Sequence, residues 1–192
     1  MNGYKEKFSD NIWFTRKARI HATERLKKSH EHSQLLLIEY TLLGSILAII
    51  ILRHSNLLGE DTDILMTIMS VVILVLSLVI TNFDMKERSN MFFKNYIKLQ
   101  TIYLETLEIE KVNGNLASVK EQYQLALLEV ENHLRIDDIC IRVDNAKTLY
   151  SRKPTFLEYV KCYIYKFCCF TFLTMLYFAP IAIGYFYYMT SL

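Results

Sequence analysis

Apolar positions fall along this chain in two distinct arrangements. In three places they form nearly unbroken runs: Leu35–Leu52 with 18 residues, Ile64–Phe83 with 20 and Phe167–Met189 with 23. Lys, Arg, Asp and Glu are absent from 40–52, 64–83 and 167–192. A helix rises 1.5 Å per residue, so even the shortest run reaches about 27 Å, close to the roughly 30 Å of a bilayer's hydrocarbon core. Each run therefore predicts a membrane-spanning helix, with Glu39 one turn inside the first, where it snorkels or pairs near the interface. Pro180 and Gly184 in the third are residues that membrane helices tolerate. Tyr163 and Tyr165, then Tyr185, Tyr187 and Tyr188, crowd its two ends like aromatic belts.

Elsewhere apolar residues recur at helical spacing. Phe8, Ile12, Ala18, Ala22 and Leu26, with Trp13 and Phe14, mark a polar N-terminal helix over 1–34. Between the second and third runs, Phe92, Tyr96, Leu99, Tyr103 and Leu107 recur at intervals of 4, 3, 4 and 4, close to a coiled-coil heptad. Asn113-Gly114-Asn115 signals a turn. Val119, Tyr123, Ala126, Val130 and Leu134 follow, then Ile139, Val143, Ala146 and Tyr150. Lys153-Pro154 breaks the pattern before an amphipathic lead into the third run. The expected fold is an all-α membrane protein. It has a transmembrane hairpin over 35–83 (spans 35–52 and 64–83), a helical region over 84–166 and a third span over 167–189. The facing stripes of 84–166 need a partner, either each other or a second subunit.

The chain has 192 residues, 52% of them hydrophobic, with only five glycines and two prolines. This excludes a disordered chain and disfavours turn-rich β structure. A net charge of +2 is too small for nucleic-acid binding driven by bulk charge. Location matters more. Eight Lys/Arg precede the first run, Lys86, Arg88, Lys94 and Lys98 follow the second, and the loop between them carries only Arg53. The positive-inside rule then places 1–34 and 84–166 in the cytoplasm, the 53–63 loop outside and the C-terminus outside. The first apolar run starts too far from the N-terminus for a signal peptide.

Chemistry-bearing motifs are scarce. The histidines His21, His30, His32, His54 and His133 have no metal-ligand spacing, and His30 and His32 point to different helix faces. No phosphate loop, nucleophile elbow or HExxH occurs, so no catalytic residue, metal site or cofactor is expected. Cys140, Cys162, Cys168 and Cys169 form no CxxC pair and read as reduced structural thiols. The informative pattern lies in the second run. Thr67, Ser70, Ser77 and Thr81 share one helix face with Leu74. Such hydroxyls either pack helices and bond back to the preceding turn, or line a pore in an oligomer. Thr41, Gly44, Ser45 and Ala48 give the first run a small-residue face for close helix contact. Two or three helices per chain cannot enclose an aqueous path, so a pore requires assembly, with the stripe from Phe92 to Leu107 as its surface.

The basic helix NIWFTRKARIHATERLKKSHEHSQ runs straight into a short-looped hairpin, and NMFFKNYIKLQTIYLETLEIE follows at once. This layout resembles the SLATT family of bacterial two-transmembrane effector domains, nearest to its reverse-transcriptase-associated subfamily. RKARIHATERL and FDMKERSNMFFKNYIKLQ carry most of the likeness, over roughly residues 8–150. The resemblance implies a non-enzymatic, pore-forming effector of a bacterial conflict system. It would permeabilise the inner membrane as a homo-oligomer when a sensor or reverse-transcriptase partner encoded nearby is triggered. The third run lies beyond the two spans of that pattern. The competing expectation is a membrane anchor that recruits a cytosolic partner through its helical region. Reporter fusions test the topology: Leu58 and Glu110 are expected on opposite sides of the membrane, and same-side signals contradict it.

Overall fold

The computed structural model describes residues 2–53, 62–111, 115–149 and 151–190. Six helices account for most of them: α1 (Asn2–Ile51), α2 (Thr62–Asn82), α3 (Met85–Lys111), α4 (Ala117–Leu128), α5 (Arg135–Asp144) and α6 (Phe156–Thr190). No strand occurs among the described residues. Most of the 53–63 loop, Asn113-Gly114 and Tyr150 lie outside the described residues. The N-terminal stripe and the first apolar run are one 50-residue helix, with no breaker between them. The second apolar run ends where Asp84 takes φ 44°, a left-handed conformation that Asp tolerates better than most residues and that separates α2 from α3. Three of the helices are long and apolar enough to cross a membrane. This is an all-helical membrane protein with amphipathic helices beside its spans.

The chain divides into two compact units. Unit 1 comprises Met1–Lys27 and Met85–Cys168; unit 2 comprises Lys28–Asp84 and Cys169–Leu192. Unit 1 has a conventional interior. Ile12 of α1 packs with Leu99 and Ile102 of α3 and with Val119 and Ala126 of α4. Ala22 and Leu26 pack on Phe92. The N-terminal stripe is thus the face that α3 covers.

Two sequence expectations change here. The apolar stripe of α3 is turned slightly from its inner face, which also holds Ser89, Asn95 and Thr106. Phe92 and Leu99 are fully packed within the chain, while Tyr96, Tyr103 and Leu107 sit half-buried at the rim. The stripe from Val119 to Leu134 is not one helix, because α4 stops at Leu128. Side chains from α1 and α3 meet that end. Arg19 of α1, wholly buried, donates to Asn95 and to the Ala126 carbonyl at 3.1 Å, and Asn95 donates to the same carbonyl at 2.8 Å. These donors take a carbonyl of α4's last turn, and a cation there is favoured by the helix dipole. Leu134 then turns extended, and its N–H donates to Asp137 at 3.0 Å to start α5.

The cysteines also depart from expectation. Cys140 of α5 and Cys162 of α6 form a disulfide, with their Cα atoms 5.4 Å apart. Helix packing brings them together, since Ile139, Cys140, Val143 and Cys162 share one apolar cluster. Cys168 and Cys169 are free and exposed.

Candidate functional site

Unit 2 holds the sequence-derived polar positions. Gly44 of α1 faces α2, and a Cβ built there would lie 3.9 Å from Ile73 Cδ1, an ordinary contact. Gly44 thus contributes to helix packing without being required by it. Thr41, Ser45 and Ala48 are exposed. On α2, Thr67, Ser70 and Thr81 are exposed and Ser77 is half-buried, so the hydroxyl face is largely uncovered by the chain itself. Each hydroxyl donates to its own helix. Thr67 bonds Asp63 O at 2.8 Å, Ser70 bonds Met66 O at 2.9 Å, Ser77 bonds Leu74 O at 2.9 Å and Thr81 bonds Ser77 O at 2.8 Å. Thr41 and Ser45 do the same on α1. The donors are therefore satisfied without water, and the oxygen lone pairs stay available to a neighbour.

One polar contact in this unit was not read from the sequence. The Tyr40 hydroxyl donates to the Leu176 carbonyl of α6 at 2.9 Å. Four residues beyond Leu176 stands Pro180, inside the helix. Proline has no N–H, so the Leu176 carbonyl loses its ordinary helical donor. Within hydrocarbon no water replaces that donor, and Tyr40 supplies it from α1. His32 Nδ1 and the Tyr177 hydroxyl, 3.1 Å apart, add a second α1–α6 contact. The third apolar run therefore packs on the first. Counting four residues back from Pro180 would have pointed to an orphan carbonyl, though not to its partner.

Unit 1 concentrates buried charge. Asp137, wholly buried, accepts from His21 at 2.9 Å and from Arg25 at 2.9 and 3.0 Å. Burial pushes the Asp137 carboxyl up, but the His21 and Arg25 hydrogen bonds outweigh it and hold the group below its ordinary value. Burial, aided by Arg19, pushes His133 down, against the opposing charges of Asp138 and Asp137. Its Nδ1 is buried without a hydrogen-bond partner in the structure. Arg142 grips Glu158 with two bonds, at 3.0 and 2.5 Å, and with the Thr155 N–H holds that carboxyl down to about 2. Among the described residues, no three His, Cys, Asp or Glu side chains converge as metal ligands.

A chain with apolar helices of membrane-crossing length and a charge-laced helical unit belongs to the class of multi-pass membrane proteins. Residues 1–186 match the model of the SMODS and SLOG-associating 2TM effector domain family 5, and the chain belongs to that family. The family description counts two transmembrane helices, whereas three helices among the described residues qualify by length and composition. No curated protein and no solved structure matches it.

Two measurements probe these contacts. Tyr40→Phe is expected to weaken α1–α6 docking by about 0.6–2 kcal/mol, the range for interhelical hydrogen bonds in membranes. In a Pro180→Ala background, where residue 180 regains its N–H, the same change is expected to cost little. SDS titration from mixed micelles, followed by a label at Cys169, reads this cycle, and equal losses in both backgrounds contradict it. The second measurement follows acid stability through Trp13, the only tryptophan, which lies in unit 1. His133 binds its proton less readily folded than unfolded, so stability is expected to fall as pH drops below about 6.5. The depressed Asp137 and Glu158 contribute fully above about 4, and their contribution is lost as pH falls further. His133→Gln is expected to remove the first loss and Asp137→Asn to shrink the second. An acid profile unchanged by either variant contradicts the assignment.

Proposed function

We propose that this protein is a non-enzymatic effector that permeabilises the bacterial inner membrane as a homo-oligomer of at least four chains. In this reading unit 1 lies in the cytoplasm. It receives a trigger from a sensor or a reverse-transcriptase partner encoded nearby, and the residues of unit 2 form the conducting path. The domains follow: 1–34 and 84–166 cytosolic, 35–83 the transmembrane hairpin and 167–189 a third span. Family membership supports the effector role. The observation that carries the conducting role is the α2 face of Thr67, Ser70, Ser77 and Thr81, which the chain leaves largely uncovered. A membrane anchor has no use for such a face. Hydroxyl oxygens that keep free lone pairs suit either water or a neighbouring subunit. Tyr96, Tyr103 and Leu107, at the rim of α3, remain available for assembly, whereas Phe92 and Leu99 support it through the fold of the subunit.

The test is the double variant Ser70→Leu with Ser77→Leu. Leucine favours insertion, so membrane abundance is expected to hold. It also dries and narrows the path, so dye uptake and loss of membrane potential after induction are expected to disappear. If the hydroxyls only pack helices, cross-linked oligomer yield falls instead. Unchanged permeabilisation at equal abundance rejects the pore-lining role of these two residues.

A further inference from the structure

The first three turns of α6 are arranged inside out. Glu158, Cys162 and Lys166 follow one another at intervals of four and so share a face. Each is fastened to α5. Arg142 holds Glu158, Cys140 is joined to Cys162, and Asp144 accepts from Lys166 at 2.7 Å. Tyr159 and Tyr165 pack on the same side. The polar face of these turns is therefore fastened to α5: Cys162 is buried, Glu158 half-buried, and both charges are paired, though Lys166 stays exposed.

The opposite face is bare. Phe156, Val160, Tyr163 and Phe167 recur at intervals of 4, 3 and 4, with Leu157 and Ile164 beside them. Phe156 is 80% exposed and Phe167 69% exposed, values that in water would leave two large aromatics unburied. The same spacing runs on in the sequence through Phe170, Thr174 and Phe178, along the same helix. From Phe156 to Thr190 α6 has 35 residues, which at 1.5 Å each is about 52 Å. That exceeds the hydrocarbon core by roughly 20 Å and also exceeds the 40–45 Å of core plus headgroups. A spanning helix of this length, at moderate tilt, carries its first turns to the depth of the headgroups. Exposed Lys153 and Lys161 flank the bare face, where cations meet lipid phosphates, and aromatic residues such as Phe156 and Tyr163 suit that depth.

We infer that the outward face of residues 156–167 is a lipid-binding surface, seated at the boundary between acyl chains and anionic phospholipid headgroups, with α5 as its polar cover. This rests on α6 crossing the bilayer and is independent of pore formation.

The test uses the full chain with Cys168→Ser and Cys169→Ser, reconstituted in vesicles of phosphatidylethanolamine and phosphatidylglycerol. An environment-sensitive fluorophore is placed at Leu157→Cys, with Lys147→Cys as the water-exposed control and Met175→Cys as the in-span control. The Leu157 probe is expected to emit blue-shifted relative to Lys147, to be quenched by phospholipids carrying a shallow nitroxide, and to lose part of that quenching in phosphatidylcholine vesicles. Emission at Leu157 matching Lys147 overturns the proposal. A blue shift without lipid quenching also overturns it, because the face is then covered by protein, whether a second copy or another partner. Equal quenching in both vesicle types overturns the anionic-headgroup assignment. Quenching at Met175 but not at Leu157 overturns this proposal alone, while its absence at both overturns the spanning of α6 as well. Dye release from the same vesicles, read separately, reports on the pore.

Discussion

Inside a bilayer there is no water to complete a hydrogen bond, and this constraint organises unit 2. A polar group facing lipid there must find its partner within the protein. The hydroxyls of α1 and α2 bond to carbonyls of their own helices. The one carbonyl that proline strips of its helical donor, that of Leu176, is met by Tyr40 from another helix. A residue that would break a soluble helix thereby becomes the point at which α6 is tied to α1.

Unit 1 obeys the opposite rule. Many of its apolar residues turn inward, and its wholly buried charges, Arg19 and Asp137, are met by hydrogen-bond partners. Arg19 is wholly buried because the end of α4 offers it carbonyl oxygen and Asn95 lies beside it. Asp137 is wholly buried because His21 and Arg25 converge on it while it starts α5. These two residues tie α1 to the segments on either side of the α4–α5 break. Removing either leaves a buried polar group without its partner, which costs far more than the contact contributes net.

The three long apolar helices were legible in the sequence because their signal is long, uninterrupted and local. The inner face of the N-terminal helix was legible for a similar reason: Ile12, Ala18, Ala22 and Leu26 are all buried. The exact face of α3 was not, because Asn95 and Thr106 are polar residues in a core, and only Arg19, 76 residues from Asn95, explains why Asn95 belongs there. The end of α4 was missed for the same reason, since an apolar stripe continues through Val130 and Leu134 while the chain does not. The Cys140–Cys162 bond depends on α5 packing against α6, which no cysteine spacing encodes. On α2 the sequence located the hydroxyls but left two roles open. The structure adds that they back-bond and that Thr67, Ser70 and Thr81 stand exposed, with Ser77 half-buried.

Family membership, a largely uncovered hydroxyl face in the membrane unit and a separate charge-laced unit fit a protein whose work is done on the membrane itself. On the proposed reading the assembled chains conduct. Electrical recording from planar bilayers containing the purified chain, at densities where cross-linking shows oligomers, is expected to give discrete, stepwise currents that appear with those oligomers. Fully inserted oligomers whose bilayers leak no more than lipid alone would contradict it, and would leave the membrane anchor as the better description of the chain.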